Sequence, residues 1–216
     1  FRACFIDPYQ GAGAATYAIE DLGAKKAAVL IDVSNDYAVG LGAFFKRSFT
    51  ALGGEIVAEM KYNSGDQDFT AQLTEINQKQ PDVMFIPAYF AEGGIIMKQA
   101  RELGAKFRIM GGDAMDNPET VSIAGAASEG FIHTSFPYDS NMPNMNEQAR
   151  AFTDAWQKTF PHKEPNVNAA LGYASYAMVI KPIEKSGTST PEELPHSLPE
   201  TKEQPTTLGL LTPDSH

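Results

Sequence analysis

Short apolar runs alternate with stretches whose apolar residues recur every three or four positions. Ala27-Ala28-Val29-Leu30-Ile31 reads as a buried strand. Residues 36–52 follow as a helix, with Val39, Leu41, Phe44, Phe45 and Phe49 supplying a broad apolar face that Gly53-Gly54 brings to a stop. Residues 55–62 read as a second strand, and Asp66-Gln67-Asp68 gives an acidic helix start before Phe69, Leu73 and Ile76. Pro81-Asp82 leads into a strand over 83–86, residues 95–103 form a helix closed by Gly104, and 107–110 are a strand. Asn117-Pro118-Glu119 opens a helix with a capping side chain and a first-turn proline. Gly130 ends it, and 131–136 make one more strand. The apolar run at Phe1–Ile6 is read as a strand ahead of all these, inside which the sequence begins without an initiator Met or a signal peptide, as if cut from something longer.

Strands that alternate with helices call for a parallel sheet, doubly wound with helices on both faces and joined by right-handed crossovers. In such sheets ligands sit beyond the carboxyl ends of the strands. The pattern changes at Pro137. Residues 137–145 hold two prolines and two asparagines and read as a linker. Two helices follow, one carrying Ala149, Phe152, Ala155, Trp156 and Phe160 on one face, the other over 168–185. The expected division is an α/β ligand-binding lobe over 1–136 and a partial second lobe with an irregular tail over 137–216. The tail is expected to be irregular from Pro195 onward because Pro195 and Pro199 disfavour a helix there.

Composition narrows the classes. The net charge is −10, so a nucleic-acid partner is not expected, and anionic lipid would be repelled. No apolar window is long enough to span a bilayer, so membrane insertion is not expected either. The single cysteine, Cys4, can form neither an internal disulfide nor a thiolate zinc site, and within Ala3-Cys4-Phe5-Ile6 it reads as a small buried hydrophobe. Of the four histidines, His133, His162, His196 and His216, none pairs at metal-ligand spacing. No serine sits in a nucleophile elbow, and no carboxylate pair is marked for acid–base work. Gly11-Ala12-Gly13 is part of a dinucleotide fingerprint, with Thr16 where a third small residue belongs, but tight helix packing explains the glycines better. No cofactor, no metal and no catalytic turnover are expected.

The strand ends carry more. Ile31-Asp32-Val33-Ser34-Asn35-Asp36-Tyr37, Ile86-Pro87-Ala88-Tyr89-Phe90 and Met110-Gly111-Gly112-Asp113 each leave a strand and should converge on one edge of the sheet. Two phenols and one carboxylate there suit a small cationic group. The competing reading is that Asp113 caps the following turn and the tyrosines pack.

The chain resembles the branched-chain amino-acid binding proteins of ABC importers, which have the two-lobed type I periplasmic binding fold. The residues that carry the resemblance run from Phe1-Arg2-Ala3-Cys4-Phe5-Ile6-Asp7-Pro8-Tyr9-Gln10-Gly11 through Ser34-Asn35-Asp36-Tyr37, Gly65-Asp66-Gln67-Asp68-Phe69 and Pro81-Asp82-Val83. They continue through Lys98-Gln99-Ala100-Arg101 and Gly111-Gly112-Asp113 to Ala170-Leu171-Gly172-Tyr173. The resemblance implies that Asp113 pairs with the ligand ammonium, that Tyr37 and Tyr89 orient it, and that Asn168 stands where the returning lobe places a further ligand contact. It implies hinged closure of two lobes, an importer permease as partner, and a periplasmic or extracytoplasmic location, lipid-anchored in a Gram-positive cell. The family's first-lobe segment, which grips the ligand carboxylate, precedes the part seen here. If the chain ends where the sequence does, its later helices should expose apolar faces and drive self-association. Three alternatives stay open: the sensing domain of a receptor or regulator with the same fold, a nucleotide-dependent enzyme of doubly wound fold, and a structural lobe without ligand.

Overall fold

Successive residues of the first strand point into two different cores. In a computed structural model, which describes residues 3–187, 189–190, 198 and 202–212, strand β1 (Lys26–Asp32) sends Ala27, Val29 and Ile31 to one face and Ala28 and Leu30 to the other. A strand buried on both faces sits in the middle of a sheet covered by helices on each side. The described residues fall into two compact units, Ile6–Ser135 and a second made of Phe136–His216 with Phe1–Phe5.

In the first unit, helix α1 (Asp7–Glu20) is followed by β1, α2 (Asp36–Ala51), β2 (Glu55–Tyr62), α3 (Thr70–Gln78), β3 (Val83–Ile86), α4 (Phe90–Glu102), β4 (Arg108–Gly111), α5 (Pro118–Ala124) and β5 (Ile132–His133). All five strands are parallel, in the order β2-β1-β3-β4-β5. Helices α1 and α2 pack on one face around Phe45, Phe49 and Phe85, while α3, α4 and α5 pack on the other around Phe69, Leu73, Met84 and Met97. The chain leaves β1 first towards β2 and then returns to β3 on its other side, so the topological switch falls between β1 and β3.

Local chemistry explains the starts and stops. The Asn35 side chain caps α2, accepting from the amides of Tyr37 at 3.0 Å and Ala38 at 3.4 Å. Asp68 accepts from the Thr70 amide at 2.9 Å before α3, and Asn117 does so from Glu119 at 2.9 Å before α5. Asp82 ties the sheet's entering edge, its carboxylate taking the amides of Lys25 and Lys26 at 2.8 Å each.

The first expected strand is not one. Ala3–Ile6 carry no strand pairing, and Asp7 opens α1, with Pro8 in its first turn. Gly11 and Gly13 therefore lie inside a helix instead of in a strand-to-helix turn. A Cβ on Gly11 would come within 2.7 Å of Phe44 Cβ and 2.8 Å of the Phe45 amide nitrogen, so this glycine lets α1 and α2 touch. Cys4 is exposed, contrary to the buried reading, because its segment never enters the sheet. Helix α4 starts at Phe90, five positions before the expected Ile95. Helix α5 ends at Ala124, a short 3-10 turn carries the chain on to Gly130, and β5 pairs over two residues only.

The second unit holds α6 (Glu147–Thr159), α7 (Val167–Ser186) and an antiparallel hairpin of β6 (Gln204–Thr206) and β7 (Gly209–Leu211). The hairpin corrects the expectation of an irregular tail over these residues, whereas Pro195 and Pro199 lie outside the described residues. Gly209 supplies the positive φ the turn needs, at 106°, and the Thr206 hydroxyl donates to the Gly209 carbonyl at 2.8 Å. Gln204 and Thr207 then fasten the hairpin to α7 through the carbonyls of Ala177 at 2.9 Å and Ala170 at 2.7 Å. Phe136, Tyr138, Phe152, Val167, Ala170 and Leu208 form the unit's core, with Phe5 stacked on Phe136 at 4.4 Å. The apolar faces of α6 and α7 are thus largely covered within their own unit, though Phe160, Tyr173 and Tyr176 stay exposed. Among the described residues no helix is long and apolar enough to cross a membrane.

Candidate functional site

Tyr37 follows β1, Tyr89 follows β3 and Asp113 follows β4, so the parallel sheet delivers all three to its carboxyl edge. The first two flank the topological switch, where the diverging connections leave a crevice. The Asn35 cap fixes the first turn of α2 and with it the Tyr37 backbone. Tyr89 stands at the start of α4, and Asp113 opens a short 3-10 turn that runs to Met115.

The side chains meet. The Tyr37 hydroxyl donates to an Asp113 carboxylate oxygen at 2.9 Å. The Tyr37 and Tyr89 rings lie 5.7 Å apart at 44°, forming an angled aromatic wall beside the carboxylate. Gly112 is required here: a Cβ would collide with the Tyr37 hydroxyl and come within 2.8 Å of Leu41. The aromatics pack only in part, for Tyr89 remains 46% exposed. A carboxylate beside two aromatic faces can take a small organic cation, by charge-assisted hydrogen bonding and by cation–π attraction. Asn168 lies in the second unit, exposed on the first turn of α7.

Burial, and secondarily the Asp113 charge, push the Tyr37 phenol far above the ordinary tyrosine range, so it stays protonated and donates. Burial also raises Tyr62, helped by the charges of Asp32, Glu92 and Asp66. Both folded values exceed the unfolded one, so their contribution to stability is present below about pH 10 and is lost as pH rises beyond it. In an alkaline titration followed by tyrosinate absorbance, two of the eight tyrosines should ionise only as the fold melts. Smooth ionisation of all eight in the folded protein would contradict this.

Two polar residues of α1 were not visible as part of the site in the sequence, because the apolar run just before them reads as a strand and hides the helix start. Asp7 lies near enough for its charge to act on Tyr37, and Gln10 approaches Gly112. The Asp7-Pro8 pair is the signal that could have found the helix that carries them. Among the described residues no group of His, Cys, Asp and Glu is arranged to hold a metal ion.

The model of a family described as periplasmic binding protein matches residues 2–210. The chain is 31% identical over 212 residues to the Leu/Ile/Val-binding protein BraC3 of Rhizobium johnstonii, covering 98% of this chain and 56% of that one. The leucine-binding protein LivK of Thermotoga maritima superposes with a TM-score of 0.92 at 38% identity, over 99% of this chain and 60% of the other. The branched-chain amino-acid transporter substrate-binding protein LivJ of Streptococcus pneumoniae, solved with isoleucine, gives 0.87 at 32%, over 98% and 59%. The chain thus spans a little over half the length of the relatives it matches, and its parallel lobe has the type I periplasmic binding fold.

Proposed function

This chain belongs to the periplasmic binding protein family, and on that premise we propose that it takes part in binding a branched-chain or similar amino acid outside the cytoplasm for delivery to an ABC importer. The observation that carries this is the Tyr37 hydroxyl donating to the Asp113 carboxylate at the switch between β1 and β3. In the proposal, Asp113 meets the α-ammonium while Tyr37 and Tyr89 orient it. The unit that holds these three serves as the ligand-binding lobe, and the second unit as part of the other lobe. Asn168 enters on the resemblance alone. Names of relatives such as the Leu/Ile/Val-binding protein of Rhizobium johnstonii support the ligand class. The fixed negative charge supports an ammonium over an anionic group at this edge.

Hinged closure over the ligand, with the closed form handed to a membrane permease, completes the proposed cycle. The proposed location is the periplasm or the outer face of the membrane, with a lipid anchor in a Gram-positive cell. No turnover is proposed, so bound amino acid should be recovered unaltered.

The test is a calorimetric titration of the whole polypeptide, as its gene encodes it, with leucine, isoleucine, valine, N-acetyl-leucine and benzoate. At least one free amino acid should bind saturably at one site. N-acetyl-leucine, which has lost the ammonium, and benzoate should give no binding heat. Silence with every amino acid, or equal binding of the acetylated one, would overturn the reading.

A further inference from the structure

Helices α2 and α4 present the two tyrosines of the site, and their starts are fixed in different ways. Asn35 caps α2 with its side chain, but Tyr89 stands at the N-cap of α4 and supplies no side-chain cap. Glu92, three residues on, occupies the position from which a glutamate commonly turns back to the N-cap amide. Here its carboxylate crosses to another element and accepts from the Gly65 amide at 3.1 Å. Gly65 belongs to a turn after β2 that is itself held fast. The Asp66 carboxylate accepts from the Asn63 amide at 2.9 Å, and the Ser34 hydroxyl donates to the Asn63 side-chain oxygen at 3.2 Å. The Ser64 hydroxyl donates to Asp32, a buried carboxylate at the end of β1. Two turns farther along α4, Gln99 grips the same connection, donating to the Gln67 carbonyl and accepting from the Phe69 amide, both at 2.8 Å. The connection after β2 thus joins the exit of β1, which leads to Tyr37, to the first turn of α4, which begins with Tyr89.

Resting on the amino-acid reading above, we propose that Glu92 is a positioning residue of the site, acting on the ligand through Tyr89. A ring that is 46% exposed is placed by its backbone more than by its packing, and the first turn of α4 sets the Tyr89 backbone. The Glu92–Gly65 bond ties that turn to a braced connection, so the ring keeps its angle to Tyr37 before a ligand arrives. A ligand that meets a ring already in place binds with less loss of side-chain freedom. A carboxamide at position 92 would accept the same bond. What the site requires of this side chain is therefore an acceptor and not a charge.

The experiment uses the whole polypeptide, unchanged and as Glu92→Ala, Glu92→Gln, Tyr89→Leu, and Tyr89→Leu combined with Glu92→Ala. Leucine affinity by calorimetry and the ligand-free melt are read on each. Glu92 lies outside the hydrophobic cores of its unit, so Glu92→Ala should still melt cooperatively. It should bind leucine about fivefold more weakly, the size of one lost hydrogen bond. Glu92→Gln should recover most of that loss. In the Tyr89→Leu background, Glu92→Ala should cost less than about twofold further, because the ring it places is gone. Affinity in Glu92→Ala equal to the unchanged protein's overturns the proposal. So does a Glu92→Gln that binds as weakly as Glu92→Ala, which would make the charge itself a partner of the ammonium. Losses that multiply independently in the double variant overturn it too, since Glu92 would then act apart from Tyr89. If the unchanged protein binds no amino acid at all, the underlying functional reading fails and this one with it. Binding in the unchanged protein with no effect of Glu92→Ala removes only the role of Glu92.

Discussion

Replacing Asp113 with alanine should weaken amino-acid binding by one to two decades while leaving the ligand-free fold intact. The size follows from a charge-assisted hydrogen bond in a closed site, which is worth roughly 1.5–3 kcal/mol, or about ten- to a hundredfold in affinity. The intact fold follows from what the carboxylate does in the structure. It accepts from Tyr37 at 2.9 Å and lies outside the two hydrophobic cores of its unit. Asp113→Asn keeps an acceptor without the charge and should fall between the two. Calorimetry with leucine, beside a thermal melt of the ligand-free protein, reads both halves. Unchanged affinity in Asp113→Ala would remove the ammonium assignment.

Phe45→Ala should cost about 3–5 kcal/mol of stability, the range for deleting a fully buried aromatic ring. Phe45 is fully buried, stacked on Phe85 of β3 at 4.2 Å and on Phe49 at 5.5 Å. It pins α2 to the sheet, and α2 carries Tyr37 in its first turn. The variant should therefore lose ligand affinity as well, although no atom of Phe45 belongs to the site. Urea unfolding gives the stability difference, and an unchanged denaturant slope would confirm that the unfolding itself is the same. A loss below about 1 kcal/mol would mean that the α2 face repacks without the ring.

The sheet edge was legible in the sequence because each site residue directly follows an apolar run too short and too continuous to be an amphipathic helix. Strands β2 and β3 match the expected 55–62 and 83–86. Tyr37, Tyr89 and Asp113 could be placed on one edge without coordinates, since parallel strands all end on the same side. What periodicity could not give was α1. Its buried residues are alanines, a glycine and Gln10, which carry little hydropathy contrast, and the apolar run before it imitates a strand. The decisive contact, Gly11 against Phe44, is long-range and has no local signature. With α1 misread, Gln10 could not be placed near Gly112. The β6–β7 hairpin was hidden for a related reason. Proline argues against a central strand, yet Pro205 lies in a two-stranded ribbon, where an edge tolerates the missing donor.

In the proposed function, the carboxyl edge between β1 and β4 receives the ammonium of an amino acid. A crystal structure of the whole polypeptide grown with leucine tests it most directly. The ligand nitrogen should lie within hydrogen-bonding distance of the Asp113 carboxylate and beside the rings of Tyr37 and Tyr89. Leucine bound with its nitrogen away from Asp113, or at another edge of the sheet, would contradict it.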